Sequence, residues 1–322
     1  MKHWNNQPTD DPPAPTWASF FTGTEYRRFL EVVTADLTRR GLPHSIDDGI
    51  VRLETDSANQ LGLQNLAQKC HSAGGTFLWP SVVRGHFDSI VTSRSEVGAL
   101  DEKLEDFESV RPHLKVRLYR AESLSGVLPA GKTIETQFTT WAVGDDLLAV
   151  LVLDLPTSVV TVADDQRSKW SVPDEALLTA AIENVATQDP VSSTDLPLPA
   201  GSPATAYYGD NFFVASHLLP LAALRDVPPE GLLVAVPHRH CLLVYDLLGP
   251  EAIVAVNALL PKIQGLYREG PGSISDQIYL FRGEGAGPLA ERFVRIPSRV
   301  QGQELVVEPP PLFVEALERL TK

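Results

Sequence analysis

The longest apolar run in this chain is Leu147–Leu153, closed by Asp154. A run of this kind is strand-sized and falls far short of the roughly 18–20 apolar residues of a membrane span. It therefore reads as a central strand, and the rest of the chain has to supply what packs against it. Upstream the apolar period is helical. Tyr26, Phe29, Leu30, Val33 and Leu37 form one stripe, which predicts a helix from Thr24 to Arg40, capped by Thr24 and stopped by Gly41 and Pro43. Further helices are predicted over 61–72, from Pro80 onward with Val83, Phe87, Ile90 and Val91 inward, and over 100–110. Asp47-Asp48-Gly49 is a turn signal ahead of a strand at 50–53.

The period then changes. Val116 and Leu118 alternate with charges, Ile134, Thr136, Phe138 and Thr140 alternate again, and Gly144-Asp145-Asp146 turns the chain into the apolar run. A short strand over 159–162 and a helix over 173–186 follow. Residues 188–205 (QDPVSSTDLPLPAGSPAT) lose all periodicity and read as a linker. Beyond them, strands are predicted near 207–208, 232–236, 241–245, 278–281 and 293–296, with helices over 213–224, 250–267 and 311–320. The expected fold class is α+β, mainly antiparallel sheets flanked by helices. Two lobes, 19–187 and 206–322, are expected behind a polar, proline-rich tail, 1–18, which is too poor in apolar surface to offset the entropy of ordering. IVRLET leading to LGLQNLAQKC is echoed by SVVTVADD leading to LLTAAIENVATQ, a weak strand–helix repeat.

The chain has 322 residues with 27 Lys+Arg and 41 Asp+Glu, a net charge of −14. That balance argues against nucleic acid and against an acidic membrane surface, both of which are bound through lysine and arginine. The two cysteines, Cys70 and Cys241, do not make a disulfide framework. The opening MKHWNNQPTDDPPAPTW has no apolar segment behind its lysine and does not read as a signal peptide. A cytoplasmic protein without a bound cofactor is expected.

Three groups of residues bear chemistry. Gly126 to Thr133 satisfies G-x-x-x-x-G-K-S/T, the pattern in which Gly131, Lys132 and Thr133 would cradle phosphates and hold magnesium. Its flanks are wrong for that role, because IETQFTTW alternates like a strand where a helix should open. Pro237-His238-Arg239-His240-Cys241 is the densest ligand-capable cluster. On one continuous strand His238 and His240 would share a face and could hold a metal; with Pro237 breaking the strand, they form a turn instead. Asp154 and Asp246 each end an apolar strand, where an acid can be catalytic or can cap a turn.

The run LLAVLVLDLPTSVVTVADDQRSKWSVPDEALLTAAIENVA resembles the YtpQ-like family of bacterial cytosolic proteins of unknown function, through Asp154-Leu155-Pro156, Trp170 and Ala181-Ile182-Glu183-Asn184-Val185. LGLQNLAQ, DNFFVASHLLPL and LLVAVPHRHCLLVYD are similar to other segments of that family, in the same order. Where the family has an arginine–aspartate turn, this chain has Arg239 followed by His240. The resemblance implies an α+β protein and supplies no activity. With Arg239, Asp154 and Asn184 as candidate binding residues, the expected function is non-catalytic binding of a protein or peptide partner, its surface suited to a basic one. The alternative is an enzyme, nucleotide-dependent at Lys132 and Thr133 or metal-dependent at His238 and His240.

Overall fold

The computed structural model describes residues 13–54, 56–100, 104–125, 128, 132–156, 158–199, 201–283, 287–301 and 304–322. The chain forms two compact units, Met1–Val91 and Thr92–Lys322.

In the first unit, helix α1 (Gly23–Arg39) precedes an antiparallel meander of β1 (His44–Asp47), β2 (Ile50–Leu53) and β3 (Asp56–Gly62). Helices α2 (Gln64–Ser72) and α3 (Trp79–Leu100) follow, and the boundary between the units falls within α3. Thr22, not Thr24, caps α1. Its hydroxyl accepts from the Glu25 amide at 3.2 Å, and the Glu25 carboxylate accepts from the Thr22 amide at 2.8 Å. That reciprocal pair satisfies two of the orphan donors at the helix start. The α1 stripe of Phe29, Val33 and Leu37 packs with Val51, Leu66, Cys70, Trp79 and Val83 in one core. Of the expected tail, residues 1–12 lie outside the described residues. Thr16–Ala18 form a 3-10 turn, and Trp17 and Phe20 pack back onto this core.

The second unit opens with α4 (Phe107–Val110), β4 (Leu114–Arg120) and α5 (Ala121–Ser125). The helix expected over 100–110 is therefore only its last turn, with 101–103 outside the described residues. Next come β5 (Thr140–Val143), β6 (Leu147–Asp154), β7 (Val159–Thr161), α6 (Asp164–Arg167) and α7 (Asp174–Gln188). The apolar run is the strand β6, paired antiparallel on one side with β4 and on the other with β5 and β7. The echo between the two strand–helix segments stops short of the connections: β3 stands between β2 and α2, while α6 stands between β7 and α7.

A six-stranded antiparallel sheet follows, built from β8 (Ser192–Leu196), β9 (Ala204–Tyr208), β10 (Leu232–His238), β11 (Cys241–Asp246), β12 (Ile278–Phe281) and β13 (Phe293–Ile296) in the order β13-β12-β10-β11-β9-β8. Residues 188–205, read from composition as a linker, thus hold its edge strand, and the chain divides at 91/92 instead. Four of the five β8 positions are exposed, so no apolar alternation marked it. Helices α8 (Leu221–Leu224), α9 (Ala252–Glu269), α10 (Leu289–Arg292) and α11 (Pro311–Leu320) and the ribbon β14 (Ser298–Gln301) with β15 (Glu304–Val307) complete the unit. The helix expected over 213–224 is split into a 3-10 turn, Ala215–Leu218, and α8, with Pro220 between them.

Strands β10 and β11 are apolar on both faces because both faces are covered. Leu232, Val234, Leu242 and Val244 join Leu114, Val116, Leu151 and the inner residues of α7 in one core. Leu233, Ala235, Leu243 and Tyr245 join Ala255, Val256, Leu259 and Ile263 of α9 and Phe313 of α11 in the other. The fold is α+β, and its three- and six-stranded sheets and its β4–β7 sheet are all antiparallel. Among the described residues no helix is long and apolar enough to cross a membrane.

Candidate functional site

Alternation along β4 puts Lys115, Arg117 and Tyr119 on one face, opposite Val152, Val150 and Leu148 of β6. Lys115 is 3% exposed. Its Nζ donates to Asp154 Oδ2 at 2.7 Å and lies 4.6 Å from the centroid of the Phe213 ring. Asp189 Oδ2, at the end of α7, is also 2.7 Å from Nζ but outside hydrogen-bond geometry, so charge holds that contact. Burial pushes the Asp189 carboxyl above its ordinary range, and Lys115 pulls the other way. The backbone carbonyl of Asp189 accepts from His217 Nε2 at 2.7 Å, which fixes His217 as the Nε2–H tautomer, and burial lowers its pKa. Asn184 donates from Nδ2 to the carbonyls of Arg111 and Leu114, both at 2.8 Å, and its Oδ1 accepts from Gln188 at 3.0 Å. Asp154 and Asn184 are therefore brought together around Leu114–Lys115. Their polar groups are spent on holding the start of β4 against α7, a structural task.

Arg239 stands one step away. Cys241 pairs with His238, so Arg239-His240 is the two-residue tip of the β10–β11 hairpin. Pro237 does not break the strand. It lies where the register shifts between Ala235 and His238, a bulge that tolerates a residue without N–H. The Arg239 amide donates to the Gly272 carbonyl at 3.1 Å, and its carbonyl accepts from the Ala215 amide at 3.1 Å. Its guanidinium is stacked 4.8 Å from the Phe212 ring. The side chain is buried, and burial followed by the charge of Arg117 depresses its pKa to about 10. Gly272, at φ +74°, passes so close that a Cβ there would sit 2.9 Å from Arg239 Cδ.

The two histidines do not present a shared metal face. His240 donates from Nδ1 to the Gly209 carbonyl at 3.2 Å and accepts at Nε2 from Arg239 Nε at 3.1 Å, so both ring nitrogens are engaged. His238 accepts at Nδ1 from the His240 amide at 3.3 Å. Burial, then the charges of His240 and Arg239, push the His238 pKa down to about 4. A cation would meet the Arg239 guanidinium there. Among the described residues no group of three or more His, Cys, Asp or Glu is placed to hold a metal.

The glycine–lysine–threonine stretch lacks the context of a phosphate cradle. Gly131 lies outside the described residues, and Lys132 and Thr133 are exposed. The Thr133 amide donates to Thr136 Oγ1 at 3.1 Å and the Thr136 hydroxyl donates back to the Thr133 carbonyl at 3.0 Å. The chain continues through a turn at Ile134–Phe138 into β5, which forms a hairpin with β6. No helix opens at Lys132, so no row of helix amides points at a phosphate. The alternation of IETQFTTW, expected to be a strand, becomes one only from Thr140.

The sequence marked neither the partners of these residues nor the exposed apolar surface of α9 and α11. Between these helices lies a cavity of about 320 Å³ lined by Ile253, Val256, Asn257, Val307, Phe313 and Leu317. Ile253 is 54% exposed, and Val254, Leu248 and Val314 add exposed apolar surface on the same segments. Asp246–Pro261 and Val307–Glu318 carry the acids Asp246, Glu251, Glu308, Glu315 and Glu318 and contain no lysine or arginine. Asp246 is neutralised by Arg225 at 2.5 Å, Glu315 lies 4.0 Å from Arg319, and Lys262 and Arg319 directly follow the two segments. The sequence signal that could have found this groove is the exposed pair Ile253-Val254 inside an amphipathic helix.

No family model, curated protein or solved structure matches the chain.

Proposed function

We propose that this chain is a non-catalytic binding protein that takes a basic, amphipathic polypeptide in the groove between α9 and α11, and that it does so as a YtpQ-like protein. The observation that carries the reading is the composition of that groove: apolar at its floor, with Glu251, Glu315 and Glu318 on the segments that flank it. A cationic helix would lay apolar residues into the groove and set lysines or arginines near Glu251 and Glu318. Each large apolar side chain fully covered in this way is worth roughly 1.5–3 kcal/mol before the cost of association. The net charge of −14 favours encounter with such a partner over an acidic one. The polar clusters support the same reading, because Asp154, Asn184, His217 and His240 spend their hydrogen bonds on the protein itself.

A fluorescein-labelled synthetic helix of leucine and lysine at amphipathic spacing tests it by anisotropy. The expected result is saturable binding that weakens with salt and is lost in Ile253→Asp and in Val314→Asp, both exposed positions whose circular dichroism should stay native. A leucine–glutamate helix of equal length should not bind. Equal binding of both peptides, or binding untouched by both substitutions, would overturn the proposal.

A further inference from the structure

The six-stranded sheet has two unlike edges. At β13 the turn at Gly144 closes in, so near that a Cβ there would lie 2.5 Å from the Phe293 carbonyl oxygen. At the other edge β8 pairs with β9 in unbroken register, Ser192 with Tyr208 through Leu196 with Ala204, and among the described residues its backbone bonds to no other segment. Alternate residues of such a strand aim N–H and C=O outward, so β8 presents unpaired backbone groups on its outer side. Exposed edges are commonly blunted by lysine, by proline within the strand or by a bulge. Ser-Ser-Thr-Asp-Leu has none of these, and four of its five residues are exposed. At its start lies a cleft of about 530 Å³ lined by Pro190, Val191, Ser192, Tyr208, Asp210 and His240. The walls of the cleft are tied in place. Asn211 Nδ2 donates to the Pro190 carbonyl at 3.1 Å, and the Gly209 carbonyl accepts from His240 Nδ1 at 3.2 Å. Tyr208 is 48% exposed, and among the described residues neither its hydroxyl nor the exposed carboxylates of Asp195 and Asp210 have a partner. From Gln188 to Leu224 the chain holds no lysine or arginine. The bases that reach this corner are spent elsewhere, Arg225 on Thr205 and Asp246, and the buried Arg239 on Phe212 and His240.

We propose that β8 accepts an extended peptide as a further antiparallel strand, with a cationic side chain of that peptide in the cleft beside Tyr208 and Asp210. Main-chain bonds to Ser192–Leu196 supply the attachment, and the cleft supplies the selectivity. Antiparallel addition, in keeping with the rest of the sheet, sets the carboxyl-terminal end of the peptide beside Ser192 and the cleft. There an arginine stacks on the Tyr208 ring and meets the Asp210 carboxylate. A second copy of this chain is the poorer fit, because its own edge would bring the carboxylates of Asp195 and Asp210 toward their like. The edge shares no lining residue with the α9–α11 groove, and neither proposal depends on the other.

The probe is a fluorescein-labelled peptide of alternating threonine and valine with an amidated arginine at its carboxyl end, added to the full chain. The expected result is saturable binding by anisotropy, together with slowed backbone hydrogen exchange within Ser192–Leu196. The same peptide N-methylated at every residue cannot pair with a strand and should not bind, and glutamate in place of the arginine should weaken binding. Asp210→Asn and Tyr208→Ala should each weaken binding of the arginine peptide about two- to fivefold. Ile253→Asp, in the other groove, should leave it unchanged. No binding, equal binding of the N-methylated or the glutamate peptide, or full binding by both the Asp210 and Tyr208 variants would each overturn the proposal. Slowed exchange of Ser192–Leu196 on concentrating the chain alone would make a second copy the occupant and overturn it too.

Discussion

Phe212 and Phe213 are neighbours in the chain, and each holds a buried cation against its ring: Arg239 at 4.8 Å and Lys115 at 4.6 Å. The surroundings of the two cations differ. Lys115 has Asp154 and Asp189 at 2.7 Å each, so its charge is answered inside the protein. Arg239 donates from Nε to His240 Nε2 at 3.1 Å and lies beside His238, whose imidazole is held neutral by both burial and charge. Burying a charge is tolerable when it is paired and costly when it is not. The first cluster is thus a fastening between β4 and the end of α7. The second is a hairpin tip held by ring stacking, by backbone bonds to Gly272 and Ala215 and by a hydrogen bond from one side chain to the next.

The comparison can be broken most sharply at Lys115. Lys115→Met should leave two carboxylates facing each other around an apolar side chain and lower stability by about 3–5 kcal/mol in urea unfolding. Adding Asp189→Asn should restore part of that loss. A single variant as stable as the wild type would remove Lys115 as a fastening. On the Arg239 side the expected signature is in pH. The folded-state pKa of His238 lies near 4, below the ordinary 6.5. The unfolded chain therefore takes up this proton first, so the His238 contribution is whole above pH 6.5 and is lost as pH falls toward 4. Over that window it amounts to on the order of 3 kcal/mol. His238→Gln should flatten the stability–pH curve there by a comparable amount, and an unchanged curve would place the histidine in contact with water.

Smaller effects probe the packing of the same corner. A Cβ on Gly270 would sit 2.1 Å from His238 Cδ2, so Gly270→Ala should cost about 1–3 kcal/mol through displacement of the ring. The smallest expected effect is the most telling. Arg117→Gln should change stability by no more than about 0.5 kcal/mol, because among the described residues its guanidinium meets no carboxylate. A loss as large as that of Lys115→Met would make the two clusters alike.

What could be read from the chain alone follows from where the causes lie. The strand β6, the stripe of α1 and the terminal helix Pro311–Leu320 were legible because period and length are local properties. Strands β10 and β11 were legible as apolar runs, although only the fold explains why both their faces are apolar. The edge strand β8 was hidden because exposure erased its alternation and prolines surround it. Lys115 stands in Leu-Lys-Val-Arg-Leu-Tyr-Arg and gives no local sign of being buried, since Asp154 comes from 39 residues away and Phe213 from farther still. Of the three candidate binding residues Arg239, Asp154 and Asn184, the last two meet around one strand, but as supports of it, and Arg239 stands apart at the hairpin tip. The groove was invisible for the same reason as the lysine: α9 and α11 are far apart in sequence and become neighbours only on the sheet.

The groove also carries the central claim, that this chain acts by binding a basic polypeptide at α9 and α11. Photo-crosslinking tests it most directly, with the leucine–lysine helix carrying diazirine-bearing leucines and the adducts mapped by mass spectrometry on the full chain. The expected result is adducts concentrated on Ile253, Val256 and Asn257 and on Val307, Phe313 and Leu317, and competed away by unlabelled peptide. Adducts spread evenly over the chain, or concentrated away from these two segments, would contradict it.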